Sequence, residues 1–317
     1  MFDKQLTKPL NLMQHEALAR RLKRNHIMLP EVEEKLGSLR AGYRGEKTLN
    51  YFLGLLPPKK YHIFHDLRLP IGSTFFQIDA FLLTSKSGFI IDNKNYSGTL
   101  LLDKFQLSQE VNDTQKVYQN PISQTYRHLI LLRDFLAENQ MPEFPIENIV
   151  SFSNSTSVIK IATGYNEVEK RVCKTDNILR KIADLERYHK NEVLTQMQLE
   201  MVKQILLLKH TPLQNDILKM YKLVTNDILP GVQCPKCMHI PMIYHGRKWE
   251  CPICNIYSID AHIPAVSDYF LLIKPWITNC ELRNFLQLPN PRATVYLLSL
   301  LNLPSIGANK GRIYLKP

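Results

Sequence analysis

Two groups of residues in this 317-residue sequence are of a type and spacing that can do chemistry. The first is a set of acids and a lysine in strand-like surroundings. Phe75 to Leu83 reads Phe-Phe-Gln-Ile-Asp-Ala-Phe-Leu-Leu, a nearly continuous apolar run that Asp79 interrupts. Gly88 to Tyr96 reads Gly-Phe-Ile-Ile-Asp-Asn-Lys-Asn-Tyr, with Asp92 and Lys94 directly after apolar residues. In an extended strand, residues two apart project to the same side, so Asp92 and Lys94 share a face while Asn93 points away. If the two segments pair as a hairpin, Asp79 lies beside Asp92. Two adjacent carboxylates repel unless a cation sits between them, and hard oxygen ligands suit Mg²⁺ or Mn²⁺. A lysine ammonium beside that ion can position a water or neutralise charge developing on a phosphate. Two plainer readings stand next to this one: Asp79 as a cap, and Asp92-Asn93-Lys94-Asn95 as a polar turn that ends the strand.

The second group is a cysteine quartet. Cys234-Pro-Lys-Cys237 and Cys251-Pro-Ile-Cys254 are two tight pairs whose spacing suits four thiolates around one tetrahedral Zn²⁺. Four protein ligands leave no open position, so such a site is structural. Ile240 to Glu250, with Gly246 at the turn, is long enough for one hairpin, and the segment reads as a zinc ribbon. Arg247, Lys248 and Trp249 on that hairpin suit a backbone-and-stacking contact with nucleic acid, or equally a solvated basic pair and an aromatic that packs the small core. Cys173 and Cys280 are read as bystanders.

These groups need elements to position them. Leu10 to Leu39 has a charged helical pattern with a basic run at Arg20, Arg21, Lys23 and Arg24, and a second helix is expected from Arg44 to Leu55, before Pro57-Pro58. Strands are expected at Tyr61 to Leu69, stopping at Pro70, at Phe75 to Leu83 and at Gly88 to Tyr96, with Thr84 to Ser87 as a hairpin turn. Asn120-Pro121 caps a helix running through Leu136, Asn148 to Ser153 reads as a fourth strand, and Asp176 to Tyr188 and Thr195 to Lys209 as further helices. The order predicts an α/β sandwich with a small mixed sheet. Towards the C-terminus, Thr278-x-x-Glu281 is a capping box for a helix to Gln287. Asn290-Pro291 caps another to Leu301, with Val295, Leu298 and Leu301 as its apolar stripe. Ser267 to Lys274 can add a first helix, and Gly307 to Leu315 a basic wing around Lys310 and Arg312. The pattern is similar to winged-helix domains, though a small helical domain explains the same stripe.

The first group sits in a longer pattern. Ala41-Gly42-Tyr43-Arg44-Gly45-Glu46 precedes a helix; Gln77-Ile78-Asp79 follows, then Gly88 through Gly98, then Asn120-Pro121 and Gln124. Over roughly residues 37 to 155 this resembles the nuclease-related domain (NERD) family of the PD-(D/E)xK nuclease superfamily. The resemblance implies a restriction-endonuclease-like core in which Asp79 is the metal-ligand aspartate, Asp92 the acid and Lys94 the lysine of the (D/E)xK pair. It further implies that Glu46 reaches the metal directly or through water, that the carbonyl of Asn93 is a ligand, and that Gln124 helps order the site. His128 would share a helix face with Gln124 and reads as a partly buried helix residue. One position departs: the family pattern usually carries Glu where this chain has Asp92, one methylene shorter. The implied reaction is hydrolysis of a phosphodiester assisted by Mg²⁺ or Mn²⁺, of DNA in preference to RNA, in DNA processing or defence against foreign DNA. The other reading is a nuclease fold kept as a non-cleaving nucleic-acid-binding or scaffold subunit.

The composition agrees with a polyanionic partner and excludes a disordered tail. Hydrophobic residues make up 44%, and 40 Lys+Arg against 29 Asp+Glu leave a net charge of +11. No apolar run reaches the ~18 residues needed to cross a bilayer and the N-terminus lacks the apolar stretch of a signal peptide, so a cytoplasmic protein without membrane contact is expected. The chain divides on this reading into residues 1–36, a basic helical segment; 37–229, the nuclease-like domain with a helical extension; 230–262, the four-cysteine zinc ribbon; and 263–317, a winged-helix-like or small helical domain. Ribbon and tail are candidates for a protein partner as well as for nucleic acid.

Overall fold

No proline interrupts the chain between Glu31 and Leu53, and a single helix uses that freedom, running where two were expected. The computed structural model describes residues 2–317, Lys310 by its backbone alone; Met1 and the Lys310 side chain of the expected wing lie outside the described residues. The chain begins with β1 (Phe2–Lys4), α1 (Leu10–Arg21) and α2 (Leu29–Leu53). The break thus falls at residues 22–28 rather than near 40, because Leu22 turns extended and is buried, while Gly42 and Gly45 are tolerated inside α2. Next come β2 (His62–Ile71), β3 (Thr74–Leu83), β4 (Gly88–Lys94), β5 (Thr99–Leu102), β6 (Gln106–Val111), β7 (Thr114–Gln119) and α3 (Pro121–Glu138). They are followed by β8 (Ile146–Phe152), β9 (Val158–Ile161), α4 (Glu167–Arg171), β10 (Val172–Lys174), α5 (Ile178–Glu186), α6 (Gln196–Lys209) and α7 (Ile217–Met220). The rest of the chain forms β11 (Ile243–His245), β12 (Lys248–Glu250), β13 (Tyr257–Ser258), α8 (His262–Leu272), β14 (Trp276–Thr278), α9 (Asn279–Leu286), α10 (Pro291–Leu301), β15 (Ser305–Ile306) and β16 (Ile313–Leu315).

The chain folds into two compact units, residues 1–8 with 40–213, and 9–39 with 214–317. The edges expected at 36, 230 and 262 do not coincide with these. Residues of α1, the ribbon and the C-terminal helices share one core, among them Leu18, Trp249, Tyr269 and Leu298, so they cannot separate into independent segments.

In the first unit a six-stranded mixed sheet has the order β1-β2-β3-β4-β8-β10. Strands β2, β3 and β4 are antiparallel, while β8 joins β4 in parallel. β2 runs on through Pro70 to Ile71, because Gly72, at φ +53°, closes a tight turn and Pro70 pairs with Phe75 at the hairpin end. The turn from Thr84 to Ser87 is closed by the Thr84 amide and hydroxyl, both donating to the Ser87 carbonyl. Helices α3 and α6 cover one face with Leu129, Phe135, Leu199 and Val202; α2 and α5 cover the other with Leu49, Leu53, Ile178 and Ile182. A second sheet, β7-β6-β5-β9, has no counterpart in the expected elements. The first sheet is mixed and helix-flanked, as a nuclease-like core requires.

The second unit holds two three-stranded sheets, β11-β12-β13 and β14-β16-β15, with α8, α9 and α10. Thr278 and Glu281 form the expected capping box, and the Asn290 side chain accepts from the Ala293 amide. The buried stripe of α10 is Thr294, Leu297 and Leu298; Val295 is 59% exposed, a phase one residue away from the expected stripe. Trp249 is fully buried at 0% exposure, so it packs the core and is not available for stacking on a base. Its indole donates to His262 Nδ1 at 3.2 Å.

Arg21 anchors this core. Only 1% of its side chain is exposed, and it donates to Asp268 Oδ2 at 2.9 Å and to the carbonyls of Leu229 and Gly231 at 3.1 and 2.6 Å. Removing one partner of a buried pair leaves an uncompensated charge. Asp268→Ala should therefore lower the unfolding free energy by about 3–5 kcal/mol in chemical denaturation; a loss below about 1 kcal/mol would show that water reaches Arg21.

Candidate functional site

Three aspartates form a row across three neighbouring strands. The β3–β4 register pairs Ala80 with Ile91, so one step further along Asp79 faces Asp92. The β2–β3 register pairs His65 with Ala80 and Leu67 with Ile78, so Asp66 faces Asp79 from the other side. Both strands of that second pairing change phase here. Phe64, Leu67 and Leu69 of β2 and Ile78, Phe81 and Leu83 of β3 pack on one face, whereas Ile63, Ala80 and Leu82 pack on the other. The alternation slips at Asp66, whose φ is +52°, and at Asp79. A left-handed residue inside a strand locally unpairs the ladder. The slip frees carboxylates that an unbroken ladder would bury among apolar neighbours.

The surroundings of each acid differ. Asp79 Oδ2 accepts from the Asn93 amide at 2.8 Å. Burial, and then the charge of Asp92, hold the Asp79 carboxyl well above the usual carboxylate range. Asp92 is 4% exposed, and its Oδ2 lies 2.6 Å from Lys94 Nζ. Lys94 also donates to Gln124 Oε1 at 3.0 Å, so the lysine is fixed between β4 and α3. Burial works to lower the Lys94 pKa, but Asp92 and Asp79 outweigh it and hold the ammonium above its ordinary value. His128, one turn beyond Gln124, is half-buried, and burial lowers its pKa against the pull of Asp92.

Glu46 keeps different company. Burial, and after it the charge of Asp66, push its carboxyl up to about 7. Asp66 in turn accepts from Gln77 Nε2 at 2.5 Å and lies 4.0 Å from Lys4 Nζ. The structure therefore brings Asp79, Asp92, Lys94 and Gln124 together, with Glu46 near enough to feel the charge of Asp66 and to act on that of Asp79. Among the described residues, the acids do not gather three ligand oxygens within 4.8 Å of one another, Glu46 with Asp79 and Asp92 included. Asp66 escapes a reading of the sequence because a lone polar residue in His-Asp-Leu-Arg-Leu looks like an ordinary half-exposed strand position.

Gly45 explains how α2 comes so near. A Cβ there would lie 2.5 Å from Ser153 Oγ, 2.7 Å from Asn93 Nδ2 and 2.9 Å from Asn95 Cβ. Asn95 Nδ2 donates to the Ala41 carbonyl at 2.6 Å, tying the same turn of α2 to the end of β4. The motif Ala41 to Glu46 is thus a helix segment seated against the strand that carries Asp92 and Lys94.

In the second unit, Cys234, Cys237, Cys251 and Cys254 place their sulfurs within 4.8 Å of one another, the only such group among the described residues. Cys234 Sγ is 3.6 Å from Cys254 Sγ, and Cys237 Sγ is 3.4 Å from Cys251 Sγ. Disulfide sulfurs lie ~2.05 Å apart, whereas thiolates at ~2.3 Å around a tetrahedral ion are separated by about 3.7 Å. The four sulfurs fit an ion, and the two knuckles are not disulfides. No helix among the described residues is long and apolar enough to cross a membrane.

Comparison with known proteins places this geometry. Residues 41–153 match the family model of the nuclease-related domain, so the chain carries a NERD domain over that span. An uncharacterized protein of Bacillus anthracis is 30% identical over 105 residues, 32% of this chain and 49% of that protein. The chain thus spans about half the length of this curated relative. No solved structure matches.

Two measurements follow from the site. Gly45→Ala should destabilise the protein by about 1–3 kcal/mol, since the helix must lift off β4 to admit a methyl; an unchanged thermal midpoint would contradict the contact. Metal analysis should find one zinc per chain, lost in Cys234→Ser. With the metal in place a thiol reagent should titrate Cys280 alone, since Cys280 is exposed while burial pushes the Cys173 thiol up to about 12. Finding no metal would remove the ion from the quartet.

Proposed function

We propose that this protein is a divalent-metal-dependent nuclease that hydrolyses phosphodiester bonds, of DNA in preference to RNA, in DNA processing or defence against foreign DNA. The observation that carries the reading is Lys94, held 2.6 Å from Asp92 and 3.0 Å from Gln124 beside a second carboxylate, Asp79. Two hard carboxylates that repel each other are the donor set expected for Mg²⁺ or Mn²⁺. Asp79 and Asp92 would hold the ion, with the Asn93 carbonyl as a further oxygen and Glu46 acting through water. When bound, such an ion supplies Lewis-acid stabilisation of the phosphate oxygens and a more acidic water. Lys94 donates its ammonium protons towards the attacking water and the phosphate. Gln124 keeps the lysine aimed by accepting one of those protons. The cysteine quartet, read as holding structural Zn²⁺, contributes order to its own unit and no chemistry.

A second reading has specific support. Glu46, Asp79 and Asp92 do not gather three ligand oxygens within 4.8 Å of one another, and Asp92 stands where the family pattern usually has the longer Glu. A nuclease fold that binds nucleic acid or serves as a scaffold without cutting agrees with both.

Cleavage of plasmid, linear and single-stranded DNA and of RNA with Mg²⁺ or Mn²⁺ separates the two. The unaltered protein should cut, and Asp79→Ala and Lys94→Ala should each lose at least ~100-fold in rate, about 2.7 kcal/mol of barrier. Equal cutting by the variants would show that the chemistry lies elsewhere. Binding without cutting by the unaltered protein would establish the scaffold reading.

A further inference from the structure

We propose that α10, the hairpin β15–β16 and the tip of the hairpin β11–β12 form one docking face for double-stranded DNA. The inference rests on residues of the second unit and not on the cleavage chemistry. The order α8, β14, α9, α10, β15, β16 ends in a helix followed by a hairpin, whose strand β16 pairs with both β14 and β15. Thr294, Leu297 and Leu298 fix one side of α10 in the core. The opposite side presents Arg292, Val295 and Ser299, all exposed and spaced three and four residues apart along one stripe. A helix is ~10–12 Å across with its side chains, and the major groove of B-form DNA is ~12 Å wide. The N-terminal residues of a groove-bound helix meet the base edges, and Arg292 stands one residue after the Pro291 start of α10.

Charge decides the occupant. From Leu282 to Pro317 the sequence contains no Asp or Glu, but it contains Arg283, Arg292, Lys310, Arg312 and Lys316. Arg312 is exposed at the end of the hairpin connection. The cysteine-bearing hairpin adds to the same face. Arg247, at its tip with φ +65°, lies over the Tyr296 ring of α10 at 4.8 Å from the centroid, with exposed Lys248 next to it. The stacked guanidinium holds the tip beside the helix and keeps donors free for phosphate. Exposed Val295, Leu300 and Ile306 would also suit a protein. Val295, however, lies within the Arg292 stripe, where a thymine methyl can meet it, and a segment without a single acid favours a polyanion. A-form RNA has a deep, narrow major groove that a helix cannot enter, which selects DNA.

The full chain carrying Asp79→Ala, which removes cutting, is titrated into a labelled short DNA duplex by fluorescence anisotropy at several KCl concentrations. Arg292→Glu and Arg247→Glu should each weaken binding about 10-fold and flatten the salt dependence by about one charge. Tyr296→Ala should weaken it too, with zinc content and circular dichroism unchanged, and an RNA duplex should compete poorly. The proposal is overturned if these variants bind as tightly as their parent, if the parent binds no duplex, or if RNA duplex competes equally. It is also overturned if light scattering shows a dimer that Val295→Glu disperses without affecting the duplex. Duplex binding with no cutting by the protein that retains Asp79 would count against the nuclease reading alone; cutting without loss in the charge-reversed variants would count against this face alone.

Discussion

Like charges set side by side in a sheet must be answered, and the arrangement of the first unit follows from how the row Asp66, Asp79 and Asp92 is answered. Three carboxylates on adjacent strands, each strand ~4.8 Å from the next, would repel strongly in a low-dielectric interior. The strands respond by slipping phase at Asp66 and Asp79, which opens the ladder to local donors. Asp66 then faces Lys4 and Gln77, Asp79 takes the Asn93 amide, and Asp92 takes Lys94. These answers are unequal. Asp92 has a full cation, whereas Asp79 has only an amide at contact distance and is pushed towards its neutral form. The least satisfied member of the row sits in the middle, where a cation would relieve most repulsion.

The helices around that row are placed by contacts that tolerate little change. α2 can approach β4 only because Gly45 has no side chain, and the approach is locked by Asn95 reaching the Ala41 carbonyl. α3 approaches from the other face, where Gln124 meets Lys94. The apolar stripes of both helices, Leu49 and Leu53 on one and Leu129 and Leu132 on the other, set which turn faces the row. Packing thus decides position, and one glycine and two amides decide distance. In the second unit the same division holds: Arg21 with Asp268 is a polar pair fixed inside a largely apolar core.

The parts of this arrangement legible in the sequence are those specified locally. Thr278 with Glu281 and Asn290 with Pro291 mark helix starts because a cap is decided within four residues. The cysteine spacing and the Asp79, Asp92 and Lys94 placement are equally readable, since a polar residue in an apolar strand stands out. The sheet of β5, β6, β7 and β9 is not, because Thr99-Leu-Leu-Leu102 and Gln106-Leu-Ser-Gln-Glu-Val111 are short, and the pairing of β5 with β9 comes from residues over fifty positions away. The α10 stripe reads one residue out of phase because Val295 is as apolar as the residues that do face the core, while Thr294, which is buried, is polar. Asp66 is hidden for a different reason. Its place depends on a change of phase in the side-chain alternation that exists only once β2 and β3 are paired.

Net charge gains meaning only from where it is presented. At physiological salt the screening length is about 8 Å, so a surplus of +11 spread over a surface guides a polyanion weakly beyond contact range. What matters is sign segregation at that scale. In the first unit, three aspartates stand in one row, with Lys94 the cation that meets Asp92 directly. In the last thirty-six residues there are no acids at all, so Arg292, Lys310, Arg312 and Lys316 have no acidic side chain near them in sequence. A uniformly mixed surface with the same total would offer neither a cation-demanding pocket nor an acid-free face. The separation of the two, more than the sum of charges, is what the proposed binding of a phosphate backbone rests on.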